Sequence, residues 1–339
     1  MATHGLALTA EVAARGKLSA VRARFYSDPY VACFLPSLPC PCPSLGAMIN
    51  TGQYARVAAI GSVIEQFMRL APPQSAQIVS LGAGLDTRFW QLHDSALLPA
   101  RYIELDQPCV VEAKARAIAS SPQLLAALPG GAACCSESGV ASVCYSCIGV
   151  DLCDLSKLDD ALQSAQWDKS APTLVIAECL LVEPHDPFGQ MMVRNLFERG
   201  CPLLSIHACP TVSAQKQRAE ATGWSHAETM DMYSWFETVF TSEERRRIRS
   251  LELLDELEEF QLLLRHYCVL LAIKDDQDAP VFSSMKLSIP LSRPPLEAAM
   301  EAALCRNRTT EDGTGDHASA LCGPSHVIPC IDEEDEEEH

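Results

Sequence analysis

The fold of this chain is decided by one stretch, Leu81-Gly82-Ala83-Gly84-Leu85-Asp86-Thr87-Arg88. It follows an apolar run at 77–80 that is typical of a short buried strand, and it precedes residues that can start a helix. Gly82 and Gly84 lack a Cβ, so a ligand can lie against the main chain there. Free N–H groups at the start of the next helix can hold the polar end of that ligand. The stretch therefore predicts a nucleotide-type binding corner.

The residues around this corner narrow the choice of ligand. A dinucleotide fingerprint needs a third small residue where this chain has Thr87, and no Gly-Lys-Ser or Gly-Lys-Thr of a Walker A loop follows. A cofactor without a pyrophosphate, such as S-adenosylmethionine, fits better. A second strand-like run ends in Asp106, about 20 residues past the glycines, where such folds place a ligand of the ribose hydroxyls. The alternative is an ordinary glycine turn beside a solvated carboxylate.

The balance of charge bears on the kind of partner. The chain has 339 residues and a formal net charge of -18, and residues 332–338 are all acidic. Of the 44 acidic residues, 37 lie outside that run and face 26 basic ones. An acidic body argues against nucleic acid as the main partner. The terminal run predicts a solvated tail.

The cysteine content bears on the compartment. The chain has 16 cysteines but no signal-peptide pattern and no apolar run of membrane-spanning length, so we expect reduced thiols, a cytoplasmic location and no membrane contact. Cys144 and Cys147 form a C-x-x-C pair, but the spacing of the remaining cysteines does not suit a zinc knuckle. We therefore expect no metal site.

Strand and helix patterns alternate through the first half of the chain, which predicts a doubly wound α/β sheet. Ligands in such sheets sit beyond the carboxyl ends of the strands. Four glycine or polar positions follow predicted strand ends: Gly82, Asp106, Asp151 and Glu178. Such a constellation indicates a binding site, although Glu178 alone could equally be a helix cap or a surface acid.

The second half of the chain is less regular. Residues 120–141 are rich in small side chains and predict a loop, 201–209 predict a strand or a loop, and 242–264 predict one long helix. We expect a single domain over residues 1–274. Residues 275–339 are rich in proline, serine and acids, which predicts a disordered acidic extension.

Further segments have a recognisable pattern: 50–57, 102–106, 149–152 and 177–179. Together with the glycine stretch they resemble the leucine carboxyl methyltransferase family. Segments 250–256 and 265–268 resemble the eukaryotic branch of that family, which methylates a protein phosphatase. The resemblance covers about Lys17 to Lys274.

The resemblance implies a Rossmann-like methyltransferase that uses S-adenosylmethionine. It implies methyl transfer to the C-terminal leucine carboxylate on the tail of the type 2A protein phosphatase catalytic subunit. The implied cofactor contacts are Lys17 and Arg56 with the methionine carboxylate, Gly82 with the part lying on the main chain, Asp106 with the ribose hydroxyls, Asp151 and Leu152 with the adenine, and Glu178 with the methionine amino group. A carboxylate acceptor, with a pKa of about 3.5, is already ionised, so no general base is expected.

One part of the family pattern is missing after Val182. Glu183 stands where the family has a tyrosine, and residues 186–192 resemble family sequence from beyond a further helix and strand. A parallel crossover needs about a dozen residues, so we expect one helix–strand unit to be absent. Two alternatives stay open: a catalytically impaired cofactor-binding relative, and a small-molecule O-methyltransferase of the same superfamily. A kelch-bearing relative that modifies transfer RNA is disfavoured, because no repeat array follows Lys274 and the body is acidic.

Overall fold

Two sheets organise the computed structural model, which describes residues 2–35, 44–130, 134–136, 139–275 and 280–296. The central sheet has the spatial order β3-β4-β5-β2-β1-β6, and the smaller sheet has the order β7-β9-β8. The strands are β1 Gln77–Leu81, β2 Arg101–Asp106, β3 Cys134–Ser136, β4 Gly139–Ala141, β5 Tyr145–Gly149, β6 Thr173–Ala177, β7 Leu180–Leu181, β8 His226–Asp231 and β9 Tyr267–Ile273.

Helices cover both faces of the central sheet. They are α1 Ala2–Arg22, α2 Ala47–Leu70, α3 Arg88–Asp94, α4 Pro108–Ser120, α5 Pro122–Ala126, α6 Leu155–Ser164, α7 Pro187–Glu198, α8 Val212–Ala221, α9 Met232–Val239, α10 Ser242–Leu251 and α11 Leu257–Arg265, with a 3-10 turn at Val31–Phe34. No helix in the described part of the chain is long and apolar enough to cross a membrane.

Strand β1 shows how the sequence builds the core. Successive side chains of a strand point to opposite faces, so Ile78 packs in the large cluster with the aromatic side chains of α3, while Val79 packs in a second cluster with Ala161 of α6. β1 lies between β2 and β6 and pairs in parallel with both. A strand covered on both faces is largely apolar, and the two polar side chains of this one, Gln77 and Ser80, are buried with the rest. The predicted doubly wound α/β sheet is confirmed.

The parallel part of the sheet stops at β6. The order β5-β2-β1-β6 corresponds to 3-2-1-4 of the common doubly wound pattern, in which a fifth parallel strand follows. Here the chain passes from β6 directly to β7, which pairs antiparallel with β9. Only residues 183–186 separate Val182 from α7, too few for a parallel crossover of about a dozen residues. The described sheet thus lacks the helix–strand unit that the sequence departure predicts to be missing.

Two sequence predictions need correction, and a third that was left open is settled. The loop predicted at 120–141 contains α5 and the antiparallel pair β3–β4. The long helix predicted at 242–264 is two helices, because α10 ends at Leu251 and the chain is extended at Glu252 before α11 begins. Residues 201–209 form neither strand nor helix, which settles the open choice in favour of a loop.

The disorder predicted from Asp275 onward is wrong for residues 280–296. Met285, Leu287 and Leu296 are buried, and the indole Nε1 of Trp235 donates a hydrogen bond to the Leu287 carbonyl at 3.0 Å. The apolar side chains in this proline- and serine-rich stretch are widely spaced, so they give no helical or strand period, yet they pack onto α2 and α9. Residues 276–279 and 297–339 lie outside the described part, and the domain boundary after Lys274 stays a prediction.

Candidate active site

The glycine turn after β1 has the backbone that the sequence predicts. Gly82 and Gly84 have φ values of 65° and 56°, in the left-handed region that favours glycine. A Cβ added to Gly82 would meet no atom within 4 Å, so the space beside this main chain is open to a ligand. The turn is also tied to the second strand, because the Gly84 N–H donates to the Asp106 Oδ2 at 2.6 Å.

Asp106 is held by the main chain at the end of β2. Its Oδ1 accepts a second hydrogen bond, from the Gln107 N–H at 2.7 Å. Burial raises the pKa of Asp106, while the N–H groups of Gly84 and Gln107 act in the opposite direction by favouring the ionised form. The carboxylate is therefore fixed in position, and its remaining lone pairs can accept hydrogen bonds from hydroxyl groups of a ligand.

A charged cluster faces the glycine turn. Lys17 of α1 lies 2.9 Å from the Asp86 Oδ1, and Arg88 lies 2.8 Å from the Asp86 Oδ2. Glu178, directly after β6, pairs with the Arg88 Nη1, with the Arg56 Nε at 3.4 Å and with the Lys17 Nζ at 3.7 Å. One buried network therefore joins α1, α2, the glycine turn and the end of β6.

The charges in this cluster do not balance. Burial alone would raise the pKa of Glu178, but Arg88, Lys17 and Arg56 outweigh that effect and lower the pKa to about 2. Burial opposes ionisation of Asp86 in the same way, and Arg88 and Lys17 hold the pKa of that carboxyl well below its usual range. With both acids ionised, the three basic side chains leave one positive charge in excess, which suits a ligand with one carboxylate.

A single cavity brings together five of the seven predicted cofactor residues. Lys17, Arg56, Gly82, Asp106 and Glu178 line a space of about 860 Å³, open water included. Side chains of α1 and Cys201 close one side of the cavity, and the loop at Cys179 closes another.

The other two predicted residues lie outside this cavity. Asp151 is exposed, and its Oδ1 accepts hydrogen bonds from the Gln107 Nε2 at 3.2 Å and the Cys153 N–H at 3.0 Å. Leu152 packs against the apolar cluster between the sheet and α6. Gln107 follows Asp106, so Asp151 is connected to the cavity through one side chain and does not line it.

Sequence reasoning missed several residues of the site. Asp86 and Arg88 lie in the quoted stretch, but nothing in their spacing predicts an ion pair with Lys17 or Glu178. Cys179 lines the cavity with a positive φ of 71°, and the Arg56 Nη1 lies 3.3 Å from its Sγ. These contacts join segments that are far apart in sequence, so only the fold reveals them.

One cysteine of the C-x-x-C pair is part of the buried core. Cys147 is buried in the central sheet, and burial raises the pKa of its thiol. No group of three or more His, Cys, Asp or Glu side chains in the described ranges is arranged to hold a metal ion.

The parallel sheet, the glycine turn and the fixed acid after the second strand define a Rossmann-like enzyme class that binds a nucleoside-type cofactor. A family model described as leucine carboxyl methyltransferase matches residues 43–182. The leucine carboxyl methyltransferase 1 homolog of Arabidopsis thaliana is 36% identical, over 79% of this chain and 88% of its own. Leucine carboxyl methyltransferase 1 of Rattus norvegicus is 32% identical, over 81% of this chain and 91% of its own.

The chain therefore belongs to the leucine carboxyl methyltransferase family and is a carboxyl methyltransferase. The tRNA wybutosine-synthesizing protein 4 of Rattus norvegicus is also similar, at 30% identity over 76% of this chain, but the match takes in 43% of that protein. The two leucine carboxyl methyltransferase relatives match over most of their own length, in keeping with the sequence resemblance.

The comparison also measures what this chain lacks. The match to the Arabidopsis relative has 297 aligned positions, and 79% of a 339-residue chain fills about 268 of them, so about 29 positions have no residue here. This count is a total over the whole match and does not say where in the chain the positions lie. The interruption after β6 is the place in the described sheet where a parallel strand of the doubly wound order is missing.

Proposed function

We propose that this protein transfers a methyl group from S-adenosylmethionine to the C-terminal leucine carboxylate of the type 2A protein phosphatase catalytic subunit. The observation that carries the proposal is the single cavity lined by Lys17, Arg56, Gly82, Asp106 and Glu178 in a member of this family. A reducing compartment such as the cytoplasm is part of the proposal, because thiols such as those of Cys147, Cys209 and Cys268 are free.

The residues of the cavity suit each part of the cofactor. The positive charge in excess near Lys17 and Arg56 would meet the methionine carboxylate. The amino group of the cofactor would lie near Glu178, which stays ionised because its pKa is about 2. Asp106 would accept from the ribose hydroxyls, and the open main chain at Gly82 would lie along the cofactor. In this proposal the adenine reaches toward Asp151 and Leu152 past Gln107.

The chemistry needs placement rather than proton removal. When bound, the cofactor supplies a sulfonium methyl, which is an electrophile. The acceptor carboxylate, with a pKa of about 3.5, is ionised at neutral pH and can attack without a general base. The residues of this chain would hold the carboxylate in line with the methyl and exclude water.

A transfer assay tests the proposal. Purified protein, labelled S-adenosylmethionine and the phosphatase catalytic subunit should give methylated phosphatase, and a phosphatase without its terminal leucine should give none. Saturable cofactor binding without transfer to any acceptor would contradict the proposal and favour a catalytically impaired relative. Transfer to small carboxylic acids but not to the phosphatase would favour a small-molecule O-methyltransferase instead.

A further inference from the structure

Two strand edges face each other where the central sheet is interrupted. In the described residues β6 pairs with β1 along its whole length and has no strand on its other side. β9 pairs with β8 from Cys268 to Ile273, but β7 covers its second edge only at Tyr267 and Cys268. Both edges therefore present main-chain groups that no described strand satisfies.

A cleft separates these edges, and we call it the inter-sheet cleft. It is lined by Leu174–Cys179, by Tyr267–Ala272, by Met232 and by the α2 side chains Arg56, Ala59, Ile60, Val63 and Ile64. The space between the lining residues is about 800 Å³, a figure that includes solvent at the open mouth of the cleft. The lining is apolar apart from Arg56 and Glu178 at one end, and Val175 is 47% exposed within it. An apolar cleft between two strand edges suits an extended apolar segment.

The inter-sheet cleft has a blind end. After β6 the chain turns at Cys179 and crosses to β9 as β7, so the protein itself closes the cleft next to Tyr267 and Cys268. A strand that runs toward this end cannot continue past it. The cleft therefore selects a chain terminus rather than a strand from the middle of a protein.

The blind end adjoins the cofactor cavity. Arg56, Glu178 and Cys179 line both the inter-sheet cleft and the cavity that contains Gly82 and Asp106. β6 runs toward Glu178, so a peptide parallel to β6 would arrive at this point with its C-terminal carboxylate. That carboxylate would lie next to the residues that the cleft shares with the cofactor cavity.

We propose that the inter-sheet cleft binds the C-terminal tail of the protein acceptor as an added β-strand, parallel to β6 and antiparallel to β9, with its terminal carboxylate at the blind end beside the cofactor cavity. The inference rests on the proposed function for the identity of the acceptor. It also gives the interrupted sheet a role, because about 29 aligned positions of the Arabidopsis relative have no residue here and the cleft lies where a fifth strand would stand.

A substitution inside the cleft tests the inference. Val175→Lys places a charge on the β6 edge that lines the cleft, without touching the cofactor cavity, and the exposed position tolerates a long side chain in the free protein. The probe is a short synthetic peptide with the C-terminal sequence of the phosphatase catalytic subunit. We expect its KM and its dissociation constant to rise by about tenfold or more, which corresponds to 1.4 kcal/mol. Affinity for S-adenosylmethionine should not change.

The matched control is Val143→Lys, the same change at a valine that is 66% exposed and far from the cleft in the strand order. It should leave both peptide constants unaltered. If Val175→Lys transfers methyl and binds the peptide as well as the wild type does, the inference is overturned and the proposed function is unaffected. The wild type could bind the peptide but show no methyl transfer, while Val175→Lys loses the binding. That result would support peptide binding in the cleft and refute the proposed function. Absence of both binding and transfer in the wild type would overturn both.

A second measurement uses the unaltered protein. In a strand that lies between two edges, successive main-chain N–H groups donate hydrogen bonds to one edge and then to the other. N-methylation of an amide in the residues next to the terminal leucine removes one of these hydrogen bonds, and it should raise the peptide KM by about tenfold or more. N-methylation at the far end of the same peptide should have little effect. Equal KM values for all the methylated peptides would rule out strand addition, even if Val175→Lys failed to fold.

Discussion

The two sides of strand β1 differ in completeness. On the β2 side, the strands form a continuous sheet, and helices cover both of its faces. The glycine turn and Asp106 lie at its end, where two main-chain N–H groups donate hydrogen bonds to the Asp106 carboxylate. On the β6 side, the sheet ends at one strand, and a cleft separates it from β9. The comparison teaches that the cofactor corner is built from contacts that do not depend on the missing strand. Arg56, Glu178 and Cys179 belong to both sides, because they line the cleft as well as the cofactor cavity.

The largest expected effect concerns packing on the complete side. Trp90 is fully buried, its Nε1 donates to the Leu124 carbonyl at 3.0 Å, and its ring contacts Phe34 and Tyr145. Trp90→Ala should lower the free energy of unfolding by about 3–5 kcal/mol. Val175→Ala, at the exposed edge, should change it by less than about 0.5 kcal/mol. Urea unfolding of both variants measures the contrast, and equal losses would mean that the two sides are equally packed.

The next effect concerns the shared charged cluster. Arg56→Ala removes the guanidinium that we place at the methionine carboxylate, and should weaken S-adenosylmethionine binding by about 1.5–3 kcal/mol. Arg69→Ala is the control on the same helix, because Arg69 is largely exposed and pairs with Glu65 at 3.4 Å. Calorimetric titration gives both affinities. An affinity unchanged in Arg56→Ala would remove Arg56 from the cofactor site.

A smaller effect on cofactor affinity should distinguish Asp106 from Asp151, the two aspartates predicted to contact the cofactor. Asp106 lines the cavity and Asp151 does not. Asp106→Ala should weaken cofactor binding by about 1.5 kcal/mol, and Asp151→Ala by less than about 0.5 kcal/mol. Equilibrium titration of the two variants decides between them. Comparable losses would show that the bound adenine contacts Asp151 directly, and the site would then extend past Gln107.

The smallest effect is a dependence of stability on pH. Glu178 has an ordinary pKa of 4.5 that folding lowers to about 2, chiefly because Arg88 and Lys17 overcome the effect of burial. The unfolded chain therefore binds the proton more readily, and the stabilisation from Glu178 is present above about pH 4.5 and lost as pH falls toward 2. Glu178→Gln should show a shallower fall in thermal melting temperature over this interval. If the melting temperatures of the variant and the wild type fall equally with pH, that result would contradict the lowered pKa of Glu178.

The sequence predicted what depends on local pattern. The apolar run 77–80 followed by Gly82 and Gly84 is a strand and a glycine turn, and the strand ends place Gly82, Asp106 and Glu178 at one cavity. The site at Lys17 and Arg56 came from resemblance rather than from spacing. These side chains reach the cavity from α1 and α2 by packing between distant segments, which no local period encodes.

The sequence failed where tertiary contacts override pattern. β8, at His226–Asp231, is half polar and was not predicted, yet it pairs with β9 along its whole length. The break between α10 and α11 has neither proline nor glycine to mark it. Residues 280–296 are held by contacts such as the hydrogen bond from Trp235 to Leu287. In each case the partner lies far away in the chain, so the cause is visible only in the fold.

The most direct test of the central claim is a calorimetric titration of the purified full-length chain with S-adenosylmethionine. If the cofactor corner is complete without the missing strand, binding should be saturable and one-to-one, and Arg56→Ala should weaken it while Arg69→Ala does not. A protein that melts cooperatively but gives no saturable heat with S-adenosylmethionine would contradict the claim that the complete side of the sheet suffices to bind the cofactor.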